Sequence, residues 1–136
     1  MLTGPNLRDG KPCSLAEQKG KVVAIMIWSI DCRYCFEEMP ELQAFWDKHR
    51  AKGFELVGLS VDDASWEIRD FLGRYPKLKF PVLWRLQEDV EDGFARAKGT
   101  PTTYIIDRQG NIVFKRFGQL RDEHLVWLEQ LIGGKS

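Results

Sequence analysis

Two cysteines, Cys32 and Cys35, stand between an apolar run and a helical pattern. Residues 22–28 form the apolar run, which has strand length and carries no charge. Such a run is typical of a central strand that is buried on both faces of a sheet. The helical pattern begins directly after the cysteines and runs to about residue 50, with apolar residues at helical spacing: Met39, Leu42, Phe45 and Trp46. The rest of the chain is organised around this strand, C-x-x-C and helix.

The spacing of the two cysteines predicts redox chemistry. Thiols three positions apart come within bonding reach when a helix starts between them, because positions i and i+3 share a face. Cys32 would then lie at the helix N-terminus, where unpaired backbone N–H groups and the helix dipole favour a thiolate. A thiolate with a second thiol behind it exchanges disulfides through a mixed-disulfide intermediate.

A structural zinc site is the main alternative for the C-x-x-C motif, because the motif supplies two of the four ligands that zinc takes. The remaining candidate ligands are Cys13, His49, His124 and the carboxylates. His49 follows Cys35 on the same predicted helix, at a distance of roughly 20 Å for ~1.5 Å of rise per residue. The chain has no second C-x-x-C and no H-x-x-x-H. These spacings favour redox chemistry over zinc, and an inactive remnant of a redox fold is the third interpretation.

Composition narrows the class of protein. A chain of 136 residues favours a single domain, which we expect to span residues 1–136. Lys and Arg total 20, as do Asp and Glu, so no basic excess indicates nucleic acid or an anionic membrane. No apolar run has transmembrane length, and residues 1–6 lack the pattern of a signal peptide. Three cysteines are too few for a disulfide framework, and we expect Cys13 to be passive.

Strands alternate with helices along the chain, which predicts an α/β fold with a mostly parallel sheet covered on both faces, to which the closing hairpin adds antiparallel strands. The lead-in contains an Asp9-Gly10 turn signal and a short strand with Cys13 and Leu15. A helix is expected to start at Asp62, Asp63 or Ser65, with these side chains as caps. Pro81 places its strand near a sheet edge. The remaining predicted elements are strands 54–61, 80–84, 102–107 and 112–117, a turn at 108–111, and helices 89–98 and 122–132.

Four segments of the chain carry a family resemblance when they are taken in order. They are Asp9-Gly10-Lys11-Pro12 with Ser14-Leu15, then residues 19–23, then the C-x-x-C-x-x-E-x-P segment from Cys32 to Pro40, then residues 99–103 with 107–110. In these segments the chain resembles the thioredoxin-fold thiol–disulfide oxidoreductases, and within them the TlpA/ResA/DsbE-like group. Residues 62–98 are similar to the central insertion of that group.

The resemblance implies a thioredoxin fold: a central mixed sheet, flanked by helices on both faces, with an N-terminal hairpin and a central insertion. It implies that Cys32 is the attacking cysteine and Cys35 the resolving cysteine. It also implies that Pro101 is a cis-proline facing the cysteine pair, and that Thr100 offers main-chain groups to an incoming peptide. Trp28 would pack beside the dithiol, and the expected substrate-binding residues are Trp28, Arg33, Tyr34, Thr100 and Pro101.

Glu38 is the candidate proton acceptor for Cys35. It follows Cys35 by three residues and therefore shares its helical face. Minimal thioredoxins place a buried Asp on the strand before the motif, where this chain has Met26, so Glu38 is the nearest carboxylate. Partial burial would raise its pKa toward neutrality. The alternative is a solvated carboxylate that is favoured by the helix dipole, as expected for Glu37.

The resemblance also implies an activity and its partners. We expect an enzyme that exchanges disulfides with protein substrates, without a metal or organic cofactor, and that an electron-donor protein recharges. The group usually works outside the cytoplasm of bacteria, often in cytochrome c maturation; a cytoplasmic location is the alternative. We expect a monomer. The rival functions are a peroxiredoxin-like peroxide reductase, against which the paired cysteines argue, and a redox-inactive or weakly active binding module of the same fold.

Asp31 departs from the group, which usually has an aromatic residue before the first cysteine. Its charge opposes thiolate formation at Cys32: at about 5 Å and an effective dielectric constant of about 20 the repulsion approaches ~3 kcal/mol, and solvent exposure reduces it several-fold. Arg33 would offset part of this repulsion. The x-x pair, Arg33-Tyr34, also departs from the common small or proline-containing pairs.

The first prediction follows from Asp31. Asp31→Asn removes the carboxylate charge next to Cys32 and should therefore lower the pKa of the Cys32 thiol. A pH titration of the thiolate absorbance of the reduced protein measures this directly. An unchanged or higher pKa in the variant would show that Asp31 points away from the thiol or is paired.

Overall fold

The computed structural model describes residues 3–84 and 99–134. An N-terminal hairpin comes first, followed by a βαβαβ segment, an antiparallel strand pair and a last helix. In chain order the elements are β1 (Thr3–Pro5), β2 (Pro12–Ser14), β3 (Val22–Trp28), α1 (Arg33–His49), β4 (Phe54–Ser60), α2 (Ser65–Arg74), β5 (Val82–Trp84), β6 (Thr102–Ile106), β7 (Ile112–Phe117) and α3 (Asp122–Ile132). Short 3-10 turns occur at Leu15–Gln18 and Arg50–Lys52. None of these helices is long and apolar enough to span a membrane.

Strand β3 lies at the centre of a five-stranded sheet whose described strands have the order β5-β4-β3-β6-β7. β3 and β5 both run parallel to β4, whereas β6 runs antiparallel to both β3 and β7. The expected thioredoxin fold, with its mixed sheet, flanking helices and N-terminal hairpin, is confirmed. Two of the four pairings in the described five-stranded sheet are parallel and two are antiparallel, so the sheet is mixed rather than mostly parallel: β6 joins the free side of β3 in the opposite direction, and β7 runs antiparallel to β6.

The side chains of β3 alternate between two apolar clusters, as the period of a strand requires. Val22, Ala24, Met26 and Trp28 pack into a first cluster together with buried residues of α1, α2 and α3. The intervening side chains pack into a second cluster with residues of β4, β5 and β6. All seven β3 residues are buried, and each large one contributes about 1.5–3 kcal/mol to the free energy of unfolding. The helix predicted for residues 89–98 lies outside the described residues.

Most element boundaries match their predictions, and two local expectations are wrong. Leu15 belongs to a 3-10 turn rather than to the short strand, which ends at Ser14. Helix α2 has Ala64 at its N-cap and no side-chain cap, so Asp62 does not cap it. The carboxylate of Asp62 instead accepts hydrogen bonds from the ends of β3 and β4, because these parallel strands finish side by side.

The N-terminal hairpin is fastened to β5, the edge strand that Pro81 predicted. The backbone N–H of Leu7 donates to the carbonyl of Val82 at 2.8 Å, and the N–H of Val82 donates to Oδ1 of Asn6 at 3.0 Å. Gly10 closes the hairpin loop with a positive φ of 75°, which a residue without Cβ adopts at no steric cost. The hairpin therefore occupies backbone groups of β5 that face away from β4.

Candidate active site

The two cysteines of the motif form a disulfide at the start of α1. Strand β3 ends at Trp28, and a short turn follows in which the N–H of Cys32 donates to the carbonyl of Ser29 at 3.1 Å. Cys32 is the N-cap of α1, and its Sγ accepts a hydrogen bond from the N–H of Cys35 at 3.2 Å. The two Cα atoms lie 5.2 Å apart. Cys32 is half-buried, whereas Cys35 has no exposed surface, so incoming molecules reach Cys32 first.

A cavity of about 640 Å³ lies beside the motif, between the start of α1 and the segment from β7 to α3. Tyr34 and Phe117 contribute exposed aromatic rings to it. Thr100 and Pro101, joined by a cis peptide bond, line the same cavity. The N–H of Gly118 donates to the carbonyl of Pro101 at 2.8 Å and fixes this wall. We refer to this cavity as the Tyr34–Phe117 groove.

The five residues expected to bind substrate occupy three kinds of position: in the groove, on the exposed surface and in the core. It brings Tyr34, Thr100 and Pro101 together along the Tyr34–Phe117 groove. Arg33 is exposed and forms an ion pair with Glu37 at 3.2 Å rather than lining the groove. Trp28 is fully buried, and its ring packs 5.4 Å from that of Phe71, so it supports the motif from below and has no surface to offer a substrate.

Trp28 fits beneath the motif because the adjacent strand has no side chain at Gly58, two residues before Ser60, which pairs with Trp28. A Cβ atom on Gly58 of β4 would lie 3.0 Å from Nε1 of Trp28 and 3.0 Å from Cε1 of Phe80. These contacts are tighter than ordinary van der Waals packing, so a larger residue at position 58 would displace the indole. The absence of a side chain on Gly58 therefore helps to position Trp28.

Glu38 is the most perturbed acid of the site. Its side chain is 3% exposed, and its Oε2 accepts a hydrogen bond from the N–H of Leu120 at 2.5 Å. Oε1 is buried and has no hydrogen-bond partner within the described ranges. Burial raises the pKa of Glu38 from 4.5 to about 7, although the bond from Leu120 and the charge of Arg116 act in the opposite direction. The carboxyl group therefore changes its protonation near neutral pH.

The neighbouring Glu37 is a surface carboxylate. It accepts from Nε of Arg33, one helical turn away, and from Nε2 of Gln119 at 3.2 Å. The i, i+4 spacing on α1 directs Arg33 to Glu37, and the partial offset of the Asp31 charge by Arg33 stays a prediction. Asp31 itself is exposed. Glu37 and Glu38 thus differ in environment as the sequence predicted: one is exposed and the other is buried.

Two residues near the motif were missed in the sequence. Gln119 donates from Nε2 to the carbonyl of Tyr34 at 2.9 Å and so ties the β7–α3 connection to α1. The carboxylate of Asp62 accepts from Ser29 and Ile30, directly before the motif. A signal for Asp62 existed: it follows β4, and the carboxyl ends of adjacent parallel strands meet at one edge of a sheet. Gln119 had no comparable signal.

Two of the candidate zinc ligands, Cys13 and His49, lie apart from the disulfide. Cys13 packs against the second cluster, whereas Cys35 belongs to the first, so the sheet separates them. Burial raises the pKa of Cys13 to about 11. His49 is buried at the far end of α1, with Nε2 lying 3.6 Å from Oε2 of Glu129. Within residues 3–84 and 99–134, no group of three or more His, Cys, Asp or Glu side chains could hold a metal ion.

Fold and site together define a thioredoxin-fold protein with a C-x-x-C disulfide at a helix N-terminus. Solved structures share this fold, and two of them serve as examples. A protein from Chlorobium tepidum, assigned as thiol:disulfide interchange protein DsbE, is 26% identical with a TM-score of 0.81, over 98% of this chain and 92% of that one. The thioredoxin domain of a thiol-disulfide oxidoreductase from Bacteroides vulgatus is 26% identical with a TM-score of 0.76, over 96% and 92% of the two chains.

The family is established by sequence. The model of the AhpC/TSA family matches residues 2–115, and the chain belongs to this family. Thiol-disulfide oxidoreductase ResA from Bacillus cereus is 32% identical over 123 residues. The match covers 86% of this chain and 66% of that relative, so the chain spans slightly less than two thirds of the relative's length.

The second prediction concerns the buried acid. Because the pKa of Glu38 is raised from 4.5 to about 7, the folded oxidised protein binds this proton more tightly than the unfolded chain. The stabilisation is fully present below pH 4.5 and is lost as the pH rises through 7, by about 3 kcal/mol at ~1.4 kcal/mol per pKa unit. Glu38→Gln should remove this pH dependence and make the variant more stable than wild type at pH 8.

Urea unfolding of the oxidised protein at several pH values between 4 and 9 measures the effect, with the disulfide intact so that neither motif thiol titrates. Glu37→Gln is the matched control, because its carboxylate is exposed and should change the profile little. Parallel pH profiles for wild type and Glu38→Gln would contradict the prediction.

Proposed function

We propose that this protein is a thiol–disulfide oxidoreductase that reduces disulfides in protein substrates through Cys32 and Cys35. The observation that carries the proposal is the unequal exposure of the pair: Cys32 is accessible at the N-cap, whereas Cys35 is buried one turn from a carboxyl group whose pKa is about 7. The relatives named as thiol-disulfide oxidoreductases support the same activity. The finer proposal is an extracytoplasmic reductase of the cytochrome c maturation type.

The first half of the reaction uses Cys32. In the reduced protein its thiolate, stabilised by the N–H of Cys35 and the helix N-terminus, attacks one sulfur of a substrate disulfide. A Cys32–substrate disulfide forms, and the substrate disulfide breaks to release a first substrate thiolate. The Tyr34–Phe117 groove would hold the peptide on either side of the substrate cysteine, with Thr100 and Pro101 forming one wall. Arg33, at the exposed rim of the motif, would contact the substrate peptide there.

The second half uses Cys35 and Glu38. The thiol of Cys35 passes its proton to the Glu38 carboxylate, and the resulting thiolate attacks Sγ of Cys32. The Cys32–Cys35 disulfide forms and the second substrate thiolate leaves. The substrate gains two electrons and the protein loses two. A dithiol of an electron-donor protein then reduces the Cys32–Cys35 disulfide, and these steps need no metal or organic cofactor. We further propose that residues 1–136 act as one domain and a monomer.

Insulin reduction tests the activity as a whole. The reduced protein with dithiothreitol as donor should accelerate precipitation of the insulin B chain, and Cys32→Ala should abolish the acceleration. A peroxide-consumption assay run in parallel distinguishes the peroxide-reductase alternative. Wild-type protein that reduces neither insulin nor peroxide would support the redox-inactive binding module.

The third prediction concerns the order of attack. Cys35→Ala removes the resolving thiol and should let Cys32 accumulate as a mixed disulfide with substrate, because Cys32 is the accessible cysteine. Mass spectrometry of the trapped adduct identifies the cysteine involved. In the reduced wild-type protein, limiting iodoacetamide should label Cys32 first. Preferential labelling of Cys35 would reverse the assignment.

The fourth prediction concerns the base. Glu38→Gln keeps the shape of the side chain and removes its basicity, so resolution of a preformed Cys32 mixed disulfide should slow on the order of 10²-fold at pH 8. In the wild type the rate should rise with pH through about 7, as Glu38 ionises. Stopped-flow decay across pH 5–9 measures both effects. Glu37→Gln is the control and should behave as wild type; equal rates in wild type and Glu38→Gln at every pH would exclude Glu38 as the base.

A further inference from the structure

Asp62 is a buried carboxylate whose hydrogen bonds converge on the residues before the motif. It follows β4 and is 9% exposed. Oδ1 accepts from Oγ of Ser29 at 3.0 Å, and Oδ2 accepts from the N–H of Ile30 at 3.1 Å and from Oγ of Ser60 at 2.7 Å. The backbone carbonyl of Asp62 accepts from Nε1 of Trp84 at 2.6 Å. Within the described ranges no Lys or Arg pairs with this carboxylate, so neutral donors hold its charge.

Ser29 links the hydrogen bonds of Asp62 to Cys32. Oγ of Ser29 donates to Asp62 and also accepts the N–H of Asp31 at 3.2 Å. The carbonyl of Ser29 accepts the N–H of Cys32 at 3.1 Å. The turn between β3 and α1 is therefore fixed by the Ser29 hydroxyl, which the Asp62 carboxylate orients. Charge-assisted bonds of this kind are stronger than bonds between neutral groups, so the turn is held firmly.

The position of this turn decides where Sγ of Cys32 lies relative to α1. Sγ receives the N–H of Cys35 at 3.2 Å because Cys32 is the N-cap. A thiolate at Cys32 gains from this bond only while the turn keeps the N-cap geometry. Asp62 does not cap α2, the helix that follows it, because α2 begins without a side-chain cap.

We propose that Asp62 is a positioning residue for Cys32: through Ser29 it holds the turn that keeps the Cys32 thiolate within hydrogen-bond reach of the Cys35 N–H. The proposal rests on the proposed function, in which Cys32 is the attacking thiol. Asp62 touches neither sulfur. Ser60 supplies a matched control, because its hydroxyl donates to Oδ2 of the same carboxylate and accepts the N–H of Asp62, so these bonds lie at the end of β4 and not in the turn.

Five variants test the proposal in a Cys35→Ala background, which keeps the backbone N–H and leaves one motif thiol to titrate. They are Ser29→Ala, Ser29→Thr, Ser60→Ala, Asp62→Ala and the combined Ser29→Ala/Asp62→Ala. The readout is the pH titration of thiolate absorbance, and Cys13 titrates separately because its pKa is about 11. The charged groups on the elements around Cys32 are Asp31, Arg33, Glu37, Glu38, Asp63, Arg116, Arg121 and Asp122, and every variant retains them.

Ser29→Ala should raise the pKa of Cys32 and reduce the thiolate fraction at pH 7 about three- to tenfold, the equivalent of one hydrogen bond. Ser29→Thr keeps the hydroxyl and should restore the wild-type titration. Ser60→Ala should lower the melting temperature without moving the titration. Equal shifts in Ser29→Ala and Ser60→Ala, or no shift in Ser29→Ala, would overturn the proposal.

The Asp62→Ala background completes a double-mutant cycle. Removal of the carboxylate charge alters the Cys32 titration by itself, but this effect is common to both Ser29 backgrounds and cancels. Once Asp62 is absent, Ser29→Ala should have no further effect; a shift as large as in the Asp62-containing protein would show that Ser29 acts alone. The titration needs no substrate or donor, so failed insulin reduction with an intact cycle would count against the proposed function and not against the role of Asp62.

Discussion

The burial of β3 on both faces fixes the location of the active site. Because β3 pairs with β4 on one side and β6 on the other, its end at Trp28 lies beside Ser60 of β4, and Ile27 lies opposite Thr102 of β6. The start of α1, the segment after β4 and the Thr100–Pro101 bond therefore meet at one edge of the sheet. A central strand that shifted by one residue would exchange its two buried faces and dismantle both clusters, so packing of the core holds the site in register.

Two effects of opposite sign act on the pKa of Glu38. Burial stabilises the protonated acid, whereas the N–H of Leu120 stabilises the carboxylate. The result is a group with a pKa near 7, which neither effect would produce by itself: full solvation would leave an ordinary Glu, and burial without the bond would keep the acid protonated. The β7–α3 connection thus supplies both a wall of the Tyr34–Phe117 groove and the hydrogen bond that keeps Glu38 titratable near neutral pH.

Local patterns in the sequence predicted the features that depend on residues close together in the chain. The bounds of β3, β7 and α3 follow from an apolar run, a turn with glycine and helical periodicity, and the spacing of Cys32 and Cys35 located the disulfide. The cis bond at Thr100–Pro101 was expected from the family resemblance rather than from any pattern. Asp62 was interpreted as a helix cap, because an Asp before a helix ordinarily is one and its partner Ser29 lies 33 residues away, although its place after β4 already put it at the edge of the sheet where β3 ends.

Because the hairpin is bonded to β5, the two edges of the described sheet differ in how they are protected against pairing with another chain. An open strand edge is a template on which another chain adds a strand, and with Asn6 and Leu7 bonded to Val82 this template is occupied from within the chain. At the opposite edge of the described sheet, β7 exposes Ile112, Val113 and Phe117. Charges at Lys115 and Arg116 lie in that strand and oppose stacking of like strands. Protection against aggregation thus comes from hydrogen bonds within the chain at one edge of the described sheet and from charged side chains at the other.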